Sequence, residues 1–166
     1  MASAAVLTDF PALLDIHRGI VRKVAASYSR SRDDRDDLTQ EIATALWQAW
    51  PSYDPARPFS TWMYRVALNV AISHRKRERY RWNEVPDEEA AEIVGAQDVD
   101  IDARQQLEAL QRAMRQLSPV NRALLLLHLD GCSQRDCAEV LGTTEGNVAT
   151  RLGRIKDQLR RFTGNA

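Results

Sequence analysis

SQRDCAEVLGTTEGNVATRLGRIKDQLR, residues 133–160, is the stretch on which the fold turns. Ser133 is followed three residues on by Asp136, the spacing of a helix capping box. The helix it opens places Cys137, Ala138, Val140 and Leu141 on an inner side. Gly142 ends it, because glycine takes the left-handed conformation at little cost. Thr144 caps a second helix in which Val148, Leu152, Ile155 and Leu159 fall at helical spacing and form one buried stripe. The opposite face carries Asn147, Thr150, Arg151, Arg154 and Lys156. A short helix, a glycine turn and a second helix with a polar, basic outer face predict a helix-turn-helix, whose second helix enters the DNA major groove. A plain helical hairpin with a solvated face shares the spacing. The small Ala138, the Gly142 turn, the Thr144 cap and the base-reading residue types favour DNA binding.

Working outward, the charge is segregated. The chain of 166 residues has a formal net charge of zero. Yet residues 1–81 hold 13 Lys and Arg against 9 Asp and Glu, residues 82–103 hold 8 acids and no base, and residues 104–166 hold 10 bases against 6 acids. Two mildly basic lobes therefore flank an acidic strip, and the zero total does not exclude a nucleic-acid partner. No apolar run approaches the roughly 20 residues of a membrane span, and MASAAVLTDF lacks the pattern of a signal peptide. The expectation is a cytoplasmic protein with no membrane insertion. Two cysteines are too few for a disulfide scaffold.

In chain order, Phe10–Ser29 reads as one helix with a broad apolar face. After a polar loop, Asp34 is the expected N-cap of a second helix running to Trp50, with Leu38, Ile42, Leu46 and Trp47 on its apolar side. Asp37, Gln40, Glu41 and Thr44 lie on the other side. PSYDPARPF, residues 51–59, is stiffened by three prolines. Ser60 is the expected cap of a long third helix to Arg81, with Trp62, Val66, Leu68, Val70 and Ile72 as its buried face. Its end, RKRERYR, carries five bases, more than the helix dipole needs. The aromatics Tyr80 and Trp82 nearby suit unpaired bases. Residues 83–103 read as a flexible acidic linker with one helical turn at EEAAEIV, and Gln105–Gln116 as the next helix, with Leu107, Leu110, Ala113 and Met114 inward. Ser118-Pro119 opens another, and LLLLHL, residues 124–129, is buried nearly all round. No strand pattern occurs. The predicted fold is all-α: an N-terminal domain (1–82), the linker (83–103) and a C-terminal helix-turn-helix domain (104–166).

Three segments, DDRDDLTQEIATALW (33–47), FSTWMYRVALNVAISHRKR (59–77) and LSPVNRALLLLHLDGCSQRDCAEVLGTTEGNVATRLGRIKDQL (117–159), resemble bacterial RNA polymerase sigma factors in the family's own order. With only these two lobes, the chain is similar to the extracytoplasmic-function (ECF) group. The resemblance implies a non-enzymatic protein that binds core RNA polymerase, directs it to promoters and aids duplex opening. It places polymerase contact on Asp37, Leu38, Gln40 and Glu41. It places contact with the melted -10 element on Ala56, Arg57, Pro58, Phe59 and Ser60, which form a loop for a flipped base, and on Asn69. Arg65, Arg75, Arg77 and Arg79 would hold phosphates. It assigns the -35 element to Thr150 and Arg154 at bases, with Arg135, Asn147, Arg151 and Lys156 beside them. Ala149 and Gly153 occupy outward slots where many relatives carry larger groups. It further implies a cognate anti-sigma factor. The family's two elements lie more than one duplex turn, ~34 Å, apart, whereas a relaxed coil of the linker's length averages roughly 25 Å. Polymerase would hold the lobes at their working separation.

His128, Cys132 and Cys137 are metal-ligand types, but the resemblance puts both cysteines where relatives carry Leu- or Ile-like core residues, and a structural zinc site takes four ligands. No metal or cofactor is expected. The acids Asp33, Asp34, Asp36, Asp37 and Glu41 sit at a helix start, where carboxylates cap, with no base or glycine-rich loop to make a hydrolase.

Overall fold

A computed structural model describes residues 3–81 and 101–163, with side chains described from 10 to 78 and from 101 to 162. The chain divides into two compact units, Met1–Ala90 and Ala91–Ala166. Among the described residues every regular element is helical.

The first unit holds α1 (Ser3–Ile16), α2 (Arg18–Tyr28), α3 (Arg32–Ala49), a 3-10 turn (Trp50–Ser52) and α4 (Phe59–Arg81). Helices α2, α3 and α4 pack on one another. The core takes Val24, Ala25 and Tyr28 from α2, Leu38, Ile42 and Leu46 from α3, and Met63, Tyr64, Ala67, Leu68 and Ala71 from α4. On α3 these residues recur every four positions, so one stripe faces inward while Asp33, Asp36 and Asp37 face out.

Five expectations for this unit are corrected. Phe10–Ser29 is two helices, broken at His17, whose φ of −102° and ψ of 13° leave the α region. The following Gly19 is a weak helix former, and the His17 ring is drawn to Phe59, 5.3 Å between centroids. The N-cap of α3 is Ser31, not Asp34: Ser31 Oγ accepts from the Asp34 N–H at 3.2 Å. The Asp34 carboxylate reaches back to the Arg30 N–H at 2.8 Å, a reciprocal capping arrangement. Trp47 is 61% exposed, lying edge-on to Phe10 at the rim of the apolar stripe. The buried face of α4 is rotated from the expected one, so Trp62, Val66, Val70 and Ile72 are half-buried while Met63, Tyr64 and Ala67 are enclosed. Helix α4 starts at Phe59, one residue before the expected cap at Ser60.

The second unit holds α5 (Ile101–Arg115), α6 (Pro119–Leu129), α7 (Gln134–Leu141) and α8 (Glu145–Thr163). Helix α5 begins four residues before the expected Gln105, and its Leu107 is at the surface. The expected turn at EEAAEIV lies outside the described residues. Ser118, Ser133 and Thr144 each accept the N–H three residues on, so α6, α7 and α8 all start on a hydroxyl cap. Helices α6 and α7 end alike. Gly131 and Gly142 take φ of 81° and 66°, and the next residues, Cys132 and Thr143, donate back to Leu127 and Ala138. Leu124, Leu125 and Leu127 of α6, Cys137, Ala138 and Val140 of α7, and Val148, Leu152 and Ile155 of α8 form the core. Arg122 is buried and donates to the carbonyls of Met114 and Arg115, each at 3.1 Å, satisfying acceptors that the end of α5 leaves open.

Candidate nucleic-acid interfaces and an acidic helix face

The acidic side of α3 is split by depth. Asp37 and Gln40 are exposed and Glu41 is half-buried. Leu38, expected beside them, is fully enclosed in the core and offers no side chain to a partner in this fold. Glu41 is tied to α4. Its Oε2 lies 3.1 Å from His74 Nδ1, and its Oε1 accepts from Arg77. The other ring nitrogen of His74, Nε2, lies 2.7 Å from Asp34 Oδ1. His74 is 7% exposed, so one buried imidazole clamps two carboxylates two turns apart on α3. Partial burial would raise the Glu41 carboxyl, but hydrogen bonds from Arg77 and His74 outweigh it and hold the group below the ordinary glutamate range. This clamp is invisible to local pattern: the partners of His74 lie 33 and 40 residues away in sequence.

The proline-rich loop is held in shape by its own chemistry. Asp54 Oδ1 accepts from the Ala56 N–H at 3.0 Å, the Asp54 carbonyl accepts from the Arg57 N–H at 3.0 Å, and the Tyr53 hydroxyl donates to the Arg57 carbonyl at 2.9 Å. Ala56, Arg57 and Pro58 are therefore displayed on a closed turn, and all three are exposed. Behind them, Phe59 is 6% exposed. It packs among Trp50, Tyr53 and Trp62, with ring centroids 5.4 to 6.0 Å apart. Phe59 is thus the anchor of the loop, and Ser60 is half-buried beside it. On α4, Arg65, Asn69 and Arg77 are exposed and Arg75 is half-buried; the side chain of Arg79 lies outside the described residues.

The outer face of α8 is open along its length. Asn147, Ala149, Thr150, Arg151, Gly153, Arg154 and Lys156 are all exposed, as is Arg135 on α7. No acidic residue occurs from Gly146 to Lys156. Thr150 and Arg154 stand one turn apart on a helix fixed from below by Val148, Leu152 and Ile155. Two residues are braced: Asn147 Nδ2 donates to Thr143 Oγ1 at 3.1 Å, and an Arg151 guanidinium nitrogen donates to Asn121 Oδ1 at 3.4 Å. A Cβ on Gly153 would meet nothing within 4 Å, so internal packing does not demand glycine there.

Of the two cysteines, Cys132 is half-buried and Cys137 is a packing residue. Cys137 is enclosed, and burial, with Cys132 and Asp136 nearby, pushes its thiol up to about 11. Among the described residues no cluster of His, Cys, Asp or Glu is arranged to hold a metal ion, and no helix is long and apolar enough to cross a membrane.

Comparison with known proteins accounts for both units. Residues 13–81 match Sigma-70 region 2, and residues 107–159 match Sigma-70, region 4. The chain is 29% identical over 163 residues to the ECF RNA polymerase sigma factor SigE of Mycolicibacterium smegmatis, covering 95% of this chain and 63% of that one. It is 28% identical over 165 residues to the RNA polymerase sigma factor CnrH of Cupriavidus metallidurans, covering 90% and 84%. The sigma factor RpoE of Bartonella quintana, solved in complex with the anti-sigma factor NepR, superposes with a TM-score of 0.76 at 25% identity, over 94% of this chain and 97% of that one. Two regions of one family, in order on two helical units, leave a single assignment: the chain belongs to the RNA polymerase sigma factors, in the extracytoplasmic-function group, and is a transcription initiation factor rather than an enzyme.

Proposed function

We propose that the chain binds core RNA polymerase through the exposed part of α3 and carries it to promoters bearing -10 and -35 elements, aiding duplex melting at the first. Asp37, Gln40 and Glu41 make the polymerase contact, and the enclosed Leu38 supports the face from beneath. Ala56, Arg57, Pro58 and Ser60 receive a flipped base on a loop anchored by Phe59. Asn69 reads a base, while Arg65, Arg75, Arg77 and Arg79 take phosphates. Thr150 and Arg154 read the -35 element. Arg135, Asn147, Arg151 and Lys156 position the helix on the duplex, and Ala149 and Gly153 leave room beside it. In domain terms, residues 1–82 serve polymerase and the -10 element, 83–103 link, and 104–166 serve the -35 element. Because RpoE of Bartonella quintana was solved with NepR, a cognate anti-sigma factor is the proposed inhibitor. The cytoplasm, where polymerase works, is the proposed location.

The observation that carries the reading is the acid-free outer face of α8, exposed from Asn147 to Lys156 over a fully buried stripe. Such a face suits a polyanion and base edges together. Run-off transcription with core polymerase over a promoter library tests the whole. Transcripts starting at a recurrent pair of elements are expected. Protein that leaves core polymerase silent on every template would refute it.

A further inference from the structure

We infer that Glu41 couples polymerase docking on α3 to the grip of α4 on DNA, through the release of Arg77; this rests on the polymerase and promoter reading given above. Both carboxylate oxygens of Glu41 are occupied, one by His74 and the other by Arg77. The two partners differ in how readily they let go. His74 is buried and held from its far side by Asp34. The Arg77 side chain is 62% exposed, and exposed ion pairs are weak.

A guanidinium or ammonium group arriving from polymerase therefore takes the Glu41 oxygen that Arg77 holds, and leaves the His74 bond in place. Arg77 is then unpaired from Glu41 at the flank of the exposed face that carries Arg65 and Asn69 on the same helix. The reverse holds too. A DNA phosphate that draws off Arg77 uncovers Glu41 for polymerase. Each partner removes a competitor of the other, and linkage requires the effect to be equal in both directions. His74 acts as a positioning residue, keeping the carboxylate aimed outward while its second partner exchanges.

The test uses the full chain and core bacterial RNA polymerase, with affinity read by fluorescence anisotropy in the absence of DNA. Arg77→Gln is expected to bind polymerase more tightly than wild type, by roughly two- to fivefold, because Glu41 no longer has to be taken from Arg77. The same variant, assembled with polymerase, should bind promoter DNA more weakly, with a salt slope shallower by about one. Opposite signs toward the two partners are not what a merely destabilised fold gives. Arg77→Lys, which keeps the charge but loses the planar fork, should shift polymerase affinity in the same direction by less. Unchanged or weaker polymerase binding by Arg77→Gln, or an unchanged salt slope, overturns the coupling. Wild-type protein that does not bind polymerase overturns the docking reading itself, a separate result.

Discussion

At the scale of single residues, the chemistry is carried by a few side chains whose support was unequally visible in sequence. Arg154 stands on α8 exposed, on a helix whose underside is fixed. Its replacement by alanine should cost about 1–3 kcal/mol at one base position of the upstream element and little at others. Transcription from templates varied one base at a time would show this, and a uniform loss would assign Arg154 to phosphate alone. Glu41 gives a pH prediction. Its carboxyl is held below its ordinary range, so its ties to His74 and Arg77 stabilise the folded unit above the range in which a free glutamate ionises. That stabilisation is lost as pH falls through the lowered value. Melting of the wild type should decline on acidification through that window, and Glu41→Gln should melt lower at neutral pH with a shallower acid-side decline. Parallel acid profiles would contradict it. Arg154 could be placed from spacing alone, whereas the role of His74 could not. A lone histidine on an amphipathic helix says nothing of carboxylates on another helix until the helices pack.

At the scale of elements, ends were easier to find than faces. The second unit announces its boundaries through Ser118, Ser133, Thr144 and Gly142, because a hydroxyl cap or a left-handed glycine acts on its own neighbours. Where several residues compete for one role, sequence misleads. Ser31 and Asp34 both suit a cap, and the hydroxyl takes it while the acid closes from the other side. The break at His17 and the rotated face of α4 come from tertiary packing, which overrides periodicity. Gly142 supplies a clean test at this scale. A Cβ there would meet nothing within 4 Å, so Gly142→Ala isolates the backbone penalty of a left-handed residue. About 1–2 kcal/mol of stability should be lost from the unit, read by denaturant melts, with DNA-facing groups untouched. A neutral substitution would mean that the turn relaxes into another form.

At the scale of the whole molecule, the zero net charge sums two basic lobes, proposed for different work, with the acidic stretch between them. The -10 and -35 candidates stand on separate units. Their losses should therefore add. The promoter affinity of the polymerase complex carrying Arg65→Ala and Arg154→Ala together should fall by the sum of the single effects, within about 0.5 kcal/mol. A marked shortfall or excess would mean that the two elements are read as one event. The turn that Tyr53 closes onto the Arg57 carbonyl bears on that affinity in another way. Ordering a slack peptide around a strand spends conformational freedom, at roughly 1–2 kcal/mol per residue. Residues 54–57 are already tied down by Tyr53 and Asp54, so on the proposed reading that entropic toll falls on folding and is not levied again at each binding of a strand.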